Sequence, residues 1–375
     1  MNVGIFGSGV VGSAILQDCI NNQRISKIFV YDKSKARINQ LRNKFRTDKC
    51  EFKAMDFTKE ETDISELDLI FGALPGVMGL KFMKWTIQKG VNVVDVSFTP
   101  EDPLQLDKLS KDASVTVIPD AGFAPGFTNL IVGDYYFNEF NRLNEVKIYV
   151  GALPEQPESP LMHTITWSVP DFVEEYTRPA RIIQDGKVIS VEPLSTIEKV
   201  EIKGLGRFEA FYSDGLRTLL HTVKVQSMAE LTLRFKGHLQ IMKILKALGL
   251  LSDEEIRVNS REVKPKSVLT KLLEKYKKDN IRDFIVMQIE AQGVINNTES
   301  TKSMLMIGKF DEENNISAIG ISTGYSATAF GQLILEKRIR EYGVIPPEIV
   351  AKEKENVTFI KNYLSKHKTI EIMEK

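Results

Sequence analysis

Between Asn2 and Pro119 the chain repeats short apolar runs, NVGIF, KIFVY, EFKAM, DLIFGA, NVVDV and VTVIP, separated by longer mixed segments. This spacing predicts βαβ units, because parallel strands covered on both faces by crossover helices carry nearly continuous Val, Ile and Phe. Between the first two runs, VVGSAILQDCINN places apolar residues at helical spacing, with Cys19 pointing into the packing. After PDAGFAPGFTNLIVGDYYF the pattern changes. VKIYVGAL predicts a strand, LPEQPESP a break, and LTLRFKGHLQIMKILKALGLL a strongly amphipathic stretch, together a second domain of mixed α+β type. The segment from Ser252 to Asp283 is dense in charge, and its KLLEKYKK reads as a solvated helix face. DFIVMQIEAQ, SMLMIGKF and ISAIGIS are strand candidates. TGYSATAFGQLILEKRIREYG and the final charged segment are predicted helical, with GVIPPE as the break between them.

A length of 375 residues fits two domains. Lys plus Arg and Asp plus Glu balance at 50 each, which removes the electrostatic case for nucleic acid or an anionic membrane and leaves a small molecule as the expected partner. Two cysteines cannot build a disulfide framework, the first residues read as a strand and not as a charged leader, and no apolar stretch is long enough to span a bilayer. A reducing cytoplasm is the expected location.

The first run ends in a glycine motif, Gly7-Ser8-Gly9-Val10-Val11-Gly12, that opens the first helix, and the second run ends in Asp32, 20 residues after Gly12. In a dinucleotide site the first glycine permits the tight turn, the second admits the pyrophosphate, and the third lets helix and strand pack closely. The helix amides then face the phosphates. The alternative is a structural turn with no ligand. A carboxylate at Asp32 suits the ribose hydroxyls of NAD and repels a 2′-phosphate, while Lys33, Lys35 and Arg37 pull towards NADP. Ala73, Leu74, Pro75 and Gly76 follow the fourth run and Asp95 to Phe98 end the fifth, at carboxyl ends of strands where open α/β sheets bind ligands. The expected cofactor set, with NAD, also takes in Lys33, Asp56, Phe57, Ser97, Phe98 and Phe123.

Neither Cys19 nor Cys50 sits where a thiohemiacetal nucleophile belongs, and the four histidines are scattered without metal-ligand spacing, so no metal is expected. Alcohol or amine oxidation by base catalysis remains. TITWSVPDFVEEYTRPARIIQDGK gathers Asp171, Glu174, Glu175, Tyr176, Arg178 and Arg181; on a helix Asp171 shares a face with Glu175 and Glu174 with Arg178, the alternative being an exposed helix with ordinary ion pairs. YSDGLRTLLH adds Asp214, Arg217 and His221.

In this order, DVSFTPEDPL, PDAGFAPGFTNLIVG, TWSVPDFVEEYTRPARIIQDGKVISVEPLS, YSDGLRTLL, LTLRFKGHLQIMKILKALGL and GVIPPE resemble the saccharopine dehydrogenase-like family, most closely its NAD-dependent L-lysine 6-dehydrogenase branch. The resemblance covers nearly the whole chain. It implies an α/β protein: a Rossmann domain over 1–127 and about 323–375, with an inserted α+β domain over 128–322 for substrate and subunit contacts, in a homo-oligomer. Gly122-Phe123-Ala124-Pro125-Gly126 lacks the acid that saccharopine reductases tend to carry at this turn, which favours the lysine branch. The implied reaction is oxidative deamination of the ε-amino group of L-lysine to a semialdehyde that cyclises. The alternatives are a saccharopine-type reductase joining an amino acid and an aldehyde through an imine, and a non-catalytic NAD-binding regulatory protein. The candidate catalytic set is Asp95, Asp120, Asp171, Tyr176, Arg178, Asp214 and Arg217. Arg178 or Arg217 is expected on the substrate α-carboxylate, Tyr176 or Asp171 on its amino groups, with the base left open.

Overall fold

The computed structural model describes residues 1–158, 160–278 and 281–374. Ser159 of the predicted break and Asp279 and Asn280 of the charge-dense segment lie outside the described residues. Two compact units divide the chain. The first comprises 1–140, 217–223 and 311–372, the second 141–216, 224–310 and the last residues.

The first unit is built on seven parallel strands. Asn2–Phe6 lies inside the sheet, flanked on one side by Lys27–Asp32 and then Cys50–Ala54. On the other side follow Leu69–Gly72, Asn92–Asp95, Thr116–Ile118 and Gly343–Val344. The order reverses at the first strand, which makes its carboxyl end the topological switch point where such sheets bind ligands. The six apolar runs account for six strands. The seventh lies in GVIPPE: Gly343–Val344 is too short to stand out, and that segment is not a plain break. A second correction concerns ISAIGIS, which is not a strand. Ser317 caps the helix Ala318–Leu335, its side chain accepting from the Gly320 amide. That helix is buried on nearly every side, so it lacks the amphipathic period that separates helix from strand. The helix Val10–Asn21 packs on it and is closed at its own carboxyl end by Lys49, whose Nζ donates to the carbonyls of Cys19, Ile20 and Asn22 at 2.9, 2.8 and 2.6 Å.

The second unit is a mixed sheet running Glu198–Ile202, Gly206–Ser213, Ser227–Arg234, Arg142–Pro154, Asp283–Ile295 and Thr298–Lys309. Only Ser227–Arg234 and Arg142–Pro154 pair in parallel among these. The hairpin Ala180–Gln184 with Lys187–Val191 joins at Met228. The helices Val169–Glu174, His238–Ala247 and Pro265–Leu273 share a core of Phe172, Tyr176, Leu239, Met242, Leu269 and Leu273. The amphipathic stretch therefore splits: LTLR ends a strand, Gly237 at φ +98° turns the chain, and the helix begins at His238. Among the described residues no helix is long and apolar enough to cross a membrane.

Candidate cofactor and active site

The three glycines do different work. Gly7 has φ +100°, and a Cβ there would lie 2.2 Å from the Ala73 carbonyl oxygen; a Cβ on Gly12 would lie 1.9 Å from that of Gly7. Both are required by backbone packing. A Cβ on Gly9 would meet only Nη1 of Arg37, at 3.5 Å. The middle glycine thus keeps open a cradle that the fold does not need. The helix Val10–Asn21 has no side-chain cap, which leaves its first amides for a ligand. Asp32 braces this turn: Oδ2 accepts from the Ser8 amide and hydroxyl at 2.8 and 2.6 Å, Oδ1 from the Ser34 amide at 2.7 Å. Lys33 is exposed, and Arg37 reaches back over the turn with no carboxylate paired to it among the described residues.

Ala73, Leu74 and Pro75 lead into the helix Gly76–Gln88. Leu74 packs on the core, as does Phe57, whose ring meets Phe82 edge-on at 5.2 Å. Asp56 closes a local turn, its Oδ1 accepting from the amide and hydroxyl of Thr58 at 3.0 and 2.6 Å.

At the ends of the next two strands the acids gather. Asp95 is fully buried, with Oδ1 accepting from the Ser97 amide at 2.8 Å. Its Oδ2 and the Ser97 hydroxyl have no partner among the described residues. Gly72 makes room for that carboxyl, since a Cβ there would lie 2.0 Å from Oδ2. Burial, with the charge of Asp120 adding to it against the hydrogen bond from the Ser97 amide, pushes Asp95 up to about 7. Asp120, at φ +50°, holds Arg217: Nε lies 3.2 and 3.1 Å from its two oxygens, while Nη2 donates to Thr99 Oγ1 at 2.8 Å and to the Glu101 carbonyl at 3.3 Å. The Phe98 ring lies 5.4 Å from the guanidinium, and Phe123 is buried in the Gly122–Gly126 turn. Sequence reasoning missed Glu348. It is fully buried, accepts from Thr222 Oγ1 at 2.7 Å, and is raised to about 7, chiefly by burial. Its one sequence signal is an acid between PP and IV.

In the second unit Asp171, Tyr176 and Arg178 remain near one another in the chain, but the helix Val169–Glu174 ends before Arg178, whose Nε is 4.0 Å from Glu174. This segment is largely buried, unlike the exposed helix considered above. Asp214 pairs in two-pronged fashion with Arg181, at 2.8 Å twice, and also accepts the Arg181 amide at 3.0 Å. Tyr176 is wholly buried, its Oη 2.8 Å from His238 Nε2 and 2.9 Å from Arg234 Nε. Arg234 also pairs with Glu175, and His238 Nδ1 lies 2.7 Å from the Leu161 carbonyl. Arg234 and His238 carry no recognised motif. In the strand SMAELTLR, Glu230, Thr232 and Arg234 alternate as a solvent-facing row would, yet all three are buried.

A parallel sheet reversing order at a glycine turn, with an acid closing the second strand, defines a dinucleotide-binding unit of the Rossmann type. Residues 3–118 match the model of the saccharopine dehydrogenase NADP binding domain and residues 122–370 that of the saccharopine dehydrogenase C-terminal domain, so the chain belongs to the saccharopine dehydrogenase family. It is 25% identical over 256 residues to a saccharopine dehydrogenase [NADP(+), L-glutamate-forming] of Pyricularia oryzae, covering 65% of this chain and 56% of that one. To the mitochondrial alpha-aminoadipic semialdehyde synthase of Bos taurus it is 24% identical over 274 residues, 67% of this chain and 28% of the relative. The matched regions thus span little more than half of one relative and under a third of the other. Apo saccharopine dehydrogenase (L-Glu forming) from Saccharomyces cerevisiae superposes with a TM-score of 0.79 at 18% identity, covering 100% of this chain and 99% of that one, a likeness of fold.

Proposed function

We propose that the chain is a nicotinamide-nucleotide-dependent oxidoreductase that oxidises the carbon bearing an amine nitrogen in an amino-acid substrate, with NAD as cofactor and the ε-carbon of L-lysine as the reacting centre. The observation that carries the assignment of a dinucleotide is Gly9, where, among the described residues, a side chain would meet only Arg37 Nη1, at 3.5 Å; the choice of NAD rests on Asp32. The bound nicotinamide supplies the hydride acceptor. The rest falls to the chain. Gly7, Gly9 and Gly12 with the helix amides hold the pyrophosphate, and Asp32 turns from the Ser8 amide to the ribose hydroxyls.

An ammonium cannot release hydride, and a free lysine ε-ammonium has a pKa of about 10.4, so a proton must first be removed. Asp95 suits that task because, at about 7, it is ionised above neutrality and can accept a proton. Burial keeps Asp95 from ionising early, with a smaller contribution from Asp120, which stays bound to Arg217. Arg217 is committed to Asp120, Thr99 and Glu101 and is left out as the group that binds the α-carboxylate. Tyr176 and Asp214, each engaged within the second unit, are left out of the proposed site.

A second reading has its own support. The Pyricularia oryzae relative is named as an NADP(+), L-glutamate-forming saccharopine dehydrogenase, and Arg37 lies where a 2′-phosphate could meet it. NADH and NADPH formation measured in parallel with L-lysine, saccharopine, ornithine and cadaverine decides between them. Turnover of L-lysine with NAD, rising in alkaline buffer and lost with cadaverine, is expected. Turnover of saccharopine with NADP alone selects the second reading, and binding without hydride transfer to any amine removes both.

A further inference from the structure

Glu348 is completely buried and takes no part in the proposed reaction. It sits in the short helix Pro347–Val350, which follows the edge strand Gly343–Val344 and packs on the helix Phe127–Asp134. Gly133 lets the two backbones touch: a Cβ there would lie 2.5 Å from the Glu348 carbonyl oxygen and 2.7 Å from its Cα. With its backbone so fixed, Glu348 reaches the segment 217–223. Thr222 Oγ1 donates to Oε1 at 2.7 Å and to the Thr218 carbonyl at 2.9 Å, so one hydroxyl proton is shared between two oxygens. A proton on the carboxyl removes the conflict, because Oε1 can then donate to Thr222 and leave the hydroxyl's own proton to the carbonyl. No cation pairs with Glu348 among the described residues, and Oε2 has no hydrogen-bond partner there. A buried carboxyl so placed is stable as the neutral acid and costly as the carboxylate.

The same segment begins with Arg217, whose backbone is left-handed at φ +53°. That conformation is unfavourable for a bulky side chain and lasts only where the surroundings over-determine it. Two anchors do so here. Asp120, Thr99 and Glu101 hold the guanidinium, and Glu348 holds Thr222 at the far end of the single turn Leu219–Thr222. We propose that Glu348 is a positioning residue, which in its neutral form clamps this turn and keeps Arg217 on Asp120, and which lets the pair open when it loses its proton. The proton goes to solvent, and the carboxylate left behind, with no cation to meet it, draws in water or moves. The titratable groups on the elements packed against Glu348 are engaged elsewhere. Asp134 pairs with Lys361 at 3.3 Å, and His221, half exposed, lies 3.2 Å from Asp102. Burial raises Glu348 to about 7, with the charge of Asp120 adding to it against the threonine hydrogen bonds, which sets the pH range of the test. The inference needs no substrate, so it stands or falls apart from the choice of L-lysine.

Hydrogen exchange of the arginine Nε–H groups, followed by NMR on the full chain carrying isotope-labelled arginine, reports on the pair. The Arg217 signal is assigned by its loss in Arg217→Lys, and Arg234, whose Nε donates to the Tyr176 hydroxyl in the second unit, is the reference. Raising the pH speeds chemical exchange at both alike, so the ratio of their rates isolates opening at Arg217. Between about pH 6 and about pH 8.5 that ratio is expected to rise at least about tenfold in the wild type and to stay constant in Glu348→Gln, which keeps the neutral shape. Glu348→Ala is expected to show the raised ratio already at about pH 6. A ratio indifferent to pH in the wild type overturns the proposal. So does a rise that Glu348→Gln leaves in place, or an alanine variant in which Arg217 is as protected at the lower pH as in the wild type; where the alanine variant fails to fold, the glutamine comparison decides alone.

Discussion

Two arginines are buried to nearly the same degree, Arg217 in the first unit and Arg234 in the second, with side chains 1% and 3% exposed. Their surroundings differ in how the hydrogen bonds end. Around Arg234 they run one way. A carbonyl can only accept, so His238 donates from Nδ1 to Leu161; its Nε2 accepts from the Tyr176 hydroxyl, whose oxygen accepts from Arg234 Nε. Burial, aided by the Arg234 charge, depresses His238 to about 3, which keeps the ring neutral in this role. Glu175 takes the guanidinium charge, and the Phe172, Tyr176 and Phe211 rings lie 5.9 Å from it. Nothing in this chain of bonds is left to exchange. Around Arg217 the pair with Asp120 is as deeply buried, but beside it Asp95 Oδ2 and Glu348 Oε2 have no partner among the described residues. The same residue types, equally buried, serve packing where every bond ends inside the network. Where bonds stop short, they leave protons that can move.

The comparison breaks most directly at Arg234. Arg234→Ala strands the buried Glu175 carboxylate and should cost about 3–5 kcal/mol in urea unfolding; a loss below about 1 kcal/mol would mean that the network is not closed as described. Gly9→Val belongs to the other region and should act on binding alone. Dinucleotide affinity is expected to fall at least about 100-fold, or about 2.7 kcal/mol, with melting temperature unchanged, whereas Gly12→Ala should fail to fold because its Cβ would strike the Gly7 carbonyl. Calorimetric titration and thermal melts separate the two.

A smaller effect concerns the proton on Asp95. Its folded pKa, about 7, lies above the unfolded value of about 3.9, so the native state holds the extra proton between them. That contribution is complete below the unfolded value and disappears as pH rises through 7. Unfolding free energy should therefore fall between about pH 4 and 7, and Asp95→Asn should flatten the fall by about 2 kcal/mol or more. Glu348 acts with the same sign and leaves a residual slope. Identical slopes in variant and wild type would mean that Asp95 does not change its protonation over that pH range. Least of all, Asp32→Ser should shift the NAD to NADP affinity ratio by about tenfold, or 1.4 kcal/mol, towards NADP; an unchanged ratio would take Asp32 off the ribose.

The glycine turn, Asp32, and the acids at strand ends were legible because each follows from a local rule, a period of two or a fixed offset from a strand. Most of helix Ala318–Leu335 was legible too, as TGYSATAFGQLIL, but its first turn, read as the strand ISAIGIS, was not, because a segment buried all round has no polar face to betray its period. Nor was the pairing of Arg217 with Asp120 across 97 residues of chain, since YSDGLRTLLH sets Asp214, Arg217 and His221 side by side and the structure sends Asp214 to Arg181 instead. Arg234 was hidden by imitation: a buried polar row in a strand has the alternation of a wet one.

The contribution of residues 217–223 to the first unit also bears on how such a chain can be recombined. A gene fragment ending at residue 140 would encode most of the nucleotide fold, but without the strand Gly343–Val344, the helix Ala318–Leu335, and Arg217. Asp120 would then be a buried carboxylate with its counter-ion on a missing exon, so to speak, and Thr116 would lose the Glu341 carbonyl its hydroxyl now meets at 2.6 Å. Neither unit is a cassette. Swapping the nucleotide half between relatives requires three segments to be moved together, and a shuffled library of single-crossover chimeras should be recovered mainly as insoluble protein.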